Sequence, residues 1–461
     1  MAHHFHPSLL REYDMRGIVG RTLGEEDAYA VGRSFGTLVR RTVDRAGGSR
    51  VAVGYDGRLS SPRLEGAVVH GLVDSGCHVL RVGIGPTPML YYAEAMLEVD
   101  GGIQVTGSHN PADHNGFKLV FQHGPFFGVD IGRLAALAAA GDWDEGAGSV
   151  ETVDMLDRYA ARLVQGFDGA AWRIAWDAGN GAAGPVVEKL AKLLPGEHHL
   201  LFTQIDGNFP NHHPDPTIEK NLEQLRDLVL AKKLDFGVAF DGDGDRIGVV
   251  DGKGRIIWGD QLIGLFAEVV LKKAPGATIV ADVKASQALF DRVAALGGRP
   301  LMWKTGHSLI KSKMKQIGSP LGGEMTGHIM FADDYYGFDD ALYAAVRLIR
   351  AATALGRSIT AARGAMPELV NTPELRFPVD EECKFTLVGD IVRRLHRAGT
   401  AVDETDGARV STPDGWWLIR ASNTQAELVG RAEAKDQAGL DQLVAQLHSQ
   451  LRDSGVRLSP V

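Results

Sequence analysis

Cysteine is almost absent from this chain. Its 461 residues include only Cys77 and Cys383, far apart. Two such residues exclude a disulfide framework and a cysteine-built zinc site, and they fit a reducing cytoplasm. There is no basic block, and the formal net charge is −9, which argues against nucleic acid as a partner. No apolar run is long enough to span a bilayer. The segment from Met1 to Arg16 lacks the basic-then-apolar order of a secretory signal. His3, His4 and His6 cluster beside Phe5 and read as a frayed terminus before they read as a metal site. Low-complexity stretches are missing as well. What remains is ordinary for a folded protein, with 44% apolar and 23% charged residues and a length that calls for about three or four domains. The acidic balance sets a condition. If the chain handles an anionic substrate, its Arg, Lys and His must gather locally.

One unit recurs three times. A β-rich run ends in a polar turn and a helix-like segment follows, at Val51 to Gly54, at Arg173 to Trp176 and at Thr278 to Ala281. Each unit has a second strand, expected at His78 to Val82, His199 to Ile205 and Pro300 to Trp303. A third strand then leads into a chemically loaded loop. The loops are Thr106-Gly107-Ser108-His109-Asn110-Pro111, Asp241-Gly242-Asp243-Gly244-Asp245-Arg246 and Gly323-Glu324-Met325-Thr326-Gly327-His328. Strands alternating with helices predict α/β domains with mixed sheets, whose ligands sit beyond the carboxyl ends of the strands. Beyond Met366-Pro367 and Asn371-Thr372-Pro373 the pattern changes to a small α+β tail. The expected domains are 1–150, 151–255, 256–366 and 367–461.

The three-aspartate loop lies between the apolar runs Phe236 to Phe240 and Ile247 to Val250. Carboxylates at alternate positions converge if the loop curls, and the intervening glycines permit the curl. Hard oxygen ligands suit Mg²⁺ or Ca²⁺. An EF-hand does not fit, because position six is Arg246, position twelve is Gly252 and the flanks are strands. An acidic β-turn remains the bland alternative. Three aspartates, a divalent cation and a phosphate still sum to a negative cluster, so further cations such as Arg246 are required.

In the serine loop, Ser108 is a candidate nucleophile and His109 a candidate proton carrier. A plain Ser-Asn-Pro turn is the alternative. Glu324 and Thr326, two residues apart, face the same way on a strand-like backbone and can read neighbouring hydroxyls. The tail run Arg420-Ala421-Ser422-Asn423-Thr424 combines a guanidinium, two hydroxyls and an amide. It reads as a phosphate cradle or a helix N-cap. Lys284, Lys304 and His307 lie on other turns and can add positive charge.

Taken together, these motifs resemble the α-D-phosphohexomutase superfamily, most closely its bacterial phosphomannomutase/phosphoglucomutase branch, in order and over essentially the whole chain. The resemblance implies three related α/β domains and a C-terminal α+β domain around a central cleft. It also implies reversible interconversion of hexose 1-phosphate and hexose 6-phosphate, with mannose and glucose as the sugars. The route passes through a phosphoserine at Ser108 and a 1,6-bisphosphate sugar. Asp241, Asp243 and Asp245 then hold one Mg²⁺ together with an oxygen of the Ser108 phosphate. Glucose 1,6-bisphosphate is the implied activator. Arg16, His109, Lys118, Arg246 and His328 match catalytic positions around Ser108, with the general base left open among Arg16, His109, Lys118 and His328. Tyr13, Lys284, His307, Glu324, Thr326, Arg420, Ser422, Asn423 and Thr424 match substrate-binding positions. Thr326 departs from the branch's usual Ser. Phosphoglucosamine mutase is the alternative, and Met325 and Asn423 disfavour it. A metal-dependent phosphatase and a non-catalytic sugar-phosphate-binding protein are the rivals from other classes. The expected partners are phosphosugars, without nucleic acid or membrane, for a cytoplasmic monomer in carbohydrate metabolism and polysaccharide biosynthesis.

Overall fold

A computed structural model of the chain describes residues 2–43 and 48–458. Met1, which opens the first expected domain, and residues 459–461, which end the fourth, lie outside the described residues.

The three recurring units build three sheets with the same core topology. In the first, Arg50–Tyr55 is central and runs parallel to His78–Ile84 on one side and Gly101–Val105 on the other. His114–Phe121 then returns antiparallel to Gly101–Val105. The second sheet repeats this with Trp172–Asp177 between Gly196–Leu201 and Phe236–Phe240, and Ile247–Asp251 returning. The third repeats it with Thr278–Asp282 between Arg299–Trp303 and Leu321–Gly323, and Ile329–Phe331 returning. The third strand of the first two sheets, Gly101–Val105 and Phe236–Phe240, is buried along its whole length. That explains the unbroken small or apolar run of Phe236–Phe240, because such strands are covered on both faces. In Gly101–Val105 the one polar residue, Gln104, donates to the Gly85 carbonyl at 2.9 Å.

Each chemically loaded loop therefore joins the third strand to the returning fourth, at the carboxyl end of the parallel strands. This repeated connection brings the three loops to equivalent places. Helices cover the sheets, and local charge supports them. The helix Glu25–Thr42 carries Glu25, Glu26 and Asp27 in its first turn and Arg40 and Arg41 in its last, matching its dipole.

Two strands cross the expected boundaries. Ser149–Thr152 completes the first sheet, beyond residue 150, and Ile256–Ile257 completes the second, beyond residue 255. Both are edge strands: Ser149–Thr152 is fully exposed and lacks a buried pattern, and Ile256–Ile257, though buried, is only two residues long. The strand expected at His199 to Ile205 runs earlier, at Gly196–Leu201.

The tail forms a wholly antiparallel sheet of five strands, including Gly415–Ala421 and Glu427–Ala434, backed by the helices Lys384–Arg397 and Gln437–Arg452. One continuous apolar core runs through the first three units, from Leu80 and Leu90 through Trp176 and Phe240 to Phe331 and Leu348. The tail has its own core around Phe377, Ile391, Trp417, Leu428 and Leu447. Among the described residues, no helix is long and apolar enough to cross a membrane.

Candidate active site

Ser108 sits in the left-handed backbone region at φ 48°, which a non-glycine residue adopts only when its surroundings hold it there. Its N–H donates to Thr106 Oγ1 at 2.8 Å, and Gly107 N–H donates to the buried carboxylate of Asp56 at 3.1 Å. So held, the Ser108 hydroxyl donates to Asp241 Oδ2 at 2.9 Å and lies 3.1 Å from His109 Nδ1. A Cβ on Gly242 would meet the Ser108 carbonyl oxygen at 2.4 Å, so the serine and aspartate loops approach closely only because that residue is glycine.

Asp241, Asp243 and Asp245 are completely buried, and their ligand oxygens lie within 4.8 Å of one another. Asp241 Oδ1 accepts from the N–H groups of Asp245 and Arg246, which curls the loop. Asp243 Oδ2 accepts from Thr87 Oγ1 at 2.5 Å and Lys118 Nζ at 2.7 Å, and Lys118 also donates to Asp245. Burial and repulsion from Asp243 and Asp245 push the Asp241 carboxyl well above its usual range. Burial pushes Asp243 the same way, but Lys118 and its hydrogen bonds outweigh this and hold that carboxyl low. Asp243 Oδ1 and Asp245 Oδ1 are buried without a hydrogen-bond partner. Hard oxygens, excess negative charge and two free buried lone-pair donors fit a divalent cation such as Mg²⁺.

The remaining fifteen candidates line one cleft of about 410 Å³ above Ser108: Tyr13, Arg16, Ser108, His109, Lys118, Arg246, Lys284, His307, Glu324, Thr326, His328, Arg420, Ser422, Asn423 and Thr424. Lys304 does not line it and points to solvent. Seven Arg or Lys side chains face the cleft against four carboxylates. The local cation surplus that an acidic chain requires for a phosphate ligand is therefore present. A larger cavity, of about 1220 Å³, opens between the third unit and the tail, but none of these residues lines it.

Each wall has its own electrostatics. Burial, reinforced by Arg246, Arg16 and Lys118, drives His109 well below the ordinary histidine range, so its ring is neutral at pH 7. His328 Nε2 accepts from Arg246 Nε at 2.9 Å, while its Nδ1 faces Asp339 Oδ2 at 2.9 Å. That pairing places the ring proton on Nδ1. His307 stacks on His328 with ring centres 4.9 Å apart. Glu324 and Thr326 lie on a turn and not on a strand, because the short strand Leu321–Gly323 ends before them. One Glu324 oxygen accepts from Gly306 N–H at 2.8 Å, leaving the other toward the cleft. In the tail run 420–424, Arg420 and Ala421 end the strand Gly415–Ala421 and Ser422 to Thr424 begin its connection to the next strand, so the run is not a helix N-cap. Within it, Arg420 donates to Asp406 at 2.8 Å, and Ser422 Oγ accepts from Gln425 N–H at 3.1 Å. Tyr13 donates to Thr305 O at 2.7 Å and accepts from the Asn423 amide, joining the first unit, the third and the tail.

Several contributors escaped the sequence reading. Thr87 bonds an aspartate of the cluster, Asp339 faces His328, and Glu374 accepts from Lys284 at 2.6 Å. Thr87 follows Gly85-Pro86 in the first unit's second turn, and that position was its only signal. Asp339 and Glu374 sit in segments without a motif.

Four family models match the chain: phosphoglucomutase/phosphomannomutase alpha/beta/alpha domain I over residues 7–138, domain II over 156–254, domain III over 258–369 and the C-terminal domain over 374–450. The chain is 44% identical to a phosphomannomutase/phosphoglucomutase of Pseudomonas aeruginosa, over 96% of each chain. It is 40% identical to a phosphoglucomutase of Neisseria gonorrhoeae, over 94% of this chain and 95% of that one. Its fold superposes on the crystal structure of a phosphoglucomutase/phosphomannomutase family protein from Burkholderia thailandensis with a TM-score of 0.92 and 41% identity, over 98% of both chains.

Proposed function

The chain belongs to the phosphoglucomutase/phosphomannomutase family, and we propose that it interconverts the 1- and 6-phosphates of mannose and glucose through a phosphorylated Ser108. One observation carries this reading. A serine hydroxyl held at φ 48° points at a buried three-aspartate cluster, at the base of a cleft rich in cations.

The phosphoryl group on Ser108 passes to the free 6-hydroxyl of a bound hexose 1-phosphate, giving the 1,6-bisphosphate and a free serine. The bisphosphate turns end for end, and its 1-phosphoryl group returns to Ser108, leaving the 6-phosphate. Such transfers need positioning and charge stabilisation more than covalent help. Asp241, Asp243, Asp245 and an oxygen of the Ser108 phosphate would hold one Mg²⁺. When bound, that ion supplies positive charge to the transferring group. Arg246, Arg16 and Lys118 supply charge from the protein itself. His109, neutral and 3.1 Å from Ser108 Oγ, is placed to hold the serine proton. Arg420, Ser422, Asn423 and Thr424 grip the phosphate that is not reacting, in either orientation of the sugar. Lys284, His307, Glu324, Thr326 and Tyr13 meet the sugar between them. Glucose 1,6-bisphosphate serves as activator by phosphorylating Ser108. The reading extends to a monomer acting on phosphosugars in the cytoplasm.

The test is turnover of mannose 1-phosphate, glucose 1-phosphate and glucosamine 1-phosphate with Mg²⁺ and catalytic glucose 1,6-bisphosphate. Turnover of the first two with little of the third is expected. Preference for the third would replace the sugar assignment, and net phosphate release would replace the mutase reading with a phosphatase.

A further inference from the structure

Beneath the serine loop lies Arg58, on the turn after the first central strand and 2% exposed. Its guanidinium donates four hydrogen bonds, three to main-chain carbonyls of that loop and one to the carbonyl of the first residue of the strand that follows it. Nη1 reaches Pro111 at 2.6 Å and His114 at 2.9 Å, and Nη2 reaches Ser108 at 2.7 Å and Asn110 at 2.6 Å. Asp56 lies 3.2 Å from its Nε. The same carboxylate accepts from Thr106 Oγ1 at 2.8 Å and from Gly107 N–H at 3.1 Å. Phe209 of the second unit covers the guanidinium with its ring centre 5.3 Å away.

The arrangement has a specific electrostatic consequence. A carbonyl oxygen turned into the cleft would repel a phosphoryl group. Arg58 turns four of them the other way, so that the loop presents the serine hydroxyl and no carbonyl dipole from these residues. It also anchors the Ser108 carbonyl on the far side of the residue whose backbone is strained. A planar fork of five N–H donors does this, and a lysine ammonium with three cannot span the same carbonyls.

We propose that Arg58, oriented by Asp56, is a positioning residue for phosphoryl transfer: it fixes the Ser108 loop so that the serine oxygen and its phosphoryl group stay aligned beside the aspartates. Arg58 touches neither the sugar nor the reacting atoms. The inference rests on Ser108 as the phosphoryl carrier.

The experiment phosphorylates each variant with glucose 1,6-bisphosphate, counts phosphoserine by intact mass, and expresses kcat per phosphorylated site. For Arg58→Lys and Arg58→Met, kcat per phosphorylated site is expected to fall roughly 100-fold, the scale of an ångström-level misplacement. KM stays within about threefold, because the groups that bind sugar are untouched. A purely structural Arg58 would lower the melting temperature or the fraction that becomes phosphorylated and leave kcat per phosphorylated site unchanged. That result overturns the proposal. If neither variant folds, Gly107→Ala tests the same contact, since its Cβ would meet Arg58 Cζ at 2.5 Å. A fall in kcat per phosphorylated site at constant KM then supports the proposal, and an unchanged value overturns it. If the wild-type enzyme turns over but never carries phosphate on Ser108, the carrier assignment itself fails and takes this inference with it.

Discussion

Two loops of this molecule line the cleft proposed to take phosphate, and they are built in opposite ways. The Ser108 loop is stitched from below. Asp56 and Arg58 take up N–H groups and carbonyls of the loop, and its flanking strands bury Ile103, Val105, Phe117 and Leu119 in the first unit's own core. The Arg420–Thr424 run, from a strand end into a connection, is half-buried at Asn423 and exposed at Thr424. Its hydroxyls hold each other loosely, with Ser422 Oγ and Thr424 Oγ1 3.5 Å apart, and it belongs to a tail with a core of its own. The difference follows from what each loop must do. Covalent transfer requires one geometry, whereas a grip that accepts either end of a sugar bisphosphate must let go and close again. The tail meets the third unit through a small apolar cluster of Val283, Met302, Trp416 and Leu418 and through polar contacts, among them Lys284 with Glu374, Arg409 with the carbonyls of Val283 and Ala285, and Thr305 N–H with Asp406. Such contacts open at lower cost than an apolar core.

This contrast is tested most severely at the serine. Ser108→Ala is expected to lose more than about 10³-fold in kcat, since no other group in the cleft replaces the nucleophile. Steady-state turnover near wild type would end the phosphoserine assignment. Asp243→Asn removes a cluster carboxylate that Lys118 holds charged, and turnover should fall by roughly 10²–10³-fold. Chelation with EDTA should produce a comparable loss in the wild type, restored by added Mg²⁺. A wild-type enzyme indifferent to EDTA would reject the metal assignment.

On the tail side the effects should move to binding. Arg420→Ala removes a charged donor to phosphate and should lower kcat/KM by about 10–100-fold, mainly through KM. A change confined to kcat would place Arg420 with the chemistry and erase the division between the two loops.

The interface between the two regions carries a pH signature. Lys284 pulls the Glu374 carboxyl down to about 2 from its ordinary 4.5. A depressed carboxylate stabilises the fold fully above its unfolded value and loses that contribution as pH falls through the folded one. Glu374→Gln should therefore lower the melting temperature by a few degrees at pH 7 (about 1–3 kcal/mol for a largely buried pair), and the gap should narrow below about pH 4.5 and close toward about pH 2. A gap that persists unchanged in acid would mean that the ion pair is not its source. The smallest effect is expected at Thr326→Ser, which keeps the hydroxyl and removes a methyl group. The ratio of mannose 1-phosphate to glucose 1-phosphate turnover should shift by about two- to threefold or less.

Much of the site was legible before any coordinates, because its chemistry is concentrated in short loops. Alternating aspartates and glycines between two apolar strands point to a cation site more than to a plain acidic turn. The threefold recurrence of strand, turn and helix places such loops at equivalent sheet edges. The less legible parts are of two kinds. Backbone detail was misjudged where strands are short or exposed, as at Glu324 and Thr326 on their turn, at the strand that ends at Leu201, and at the edge strands past residues 150 and 255. Lys304 shared a turn with Thr305 and Gly306 but faces solvent, because which side of a turn a long side chain takes is not a periodic property.

The sequence by itself therefore determined the fold class, the identity of the four loops that line the cleft, and the need to concentrate cations in an acidic chain that takes an anionic substrate. All of these follow from local pattern and charge. Only the tertiary structure decided which groups meet: Lys118 across Asp243 and Asp245, Thr87 on Asp243, Asp339 beside His328, Glu374 on Lys284, and Arg58 beneath four carbonyls. Most of these partners lie tens of residues or more apart, several on different sheets. A hydrogen bond across such a separation depends on how the sheets pack and leaves no spacing signal in the chain.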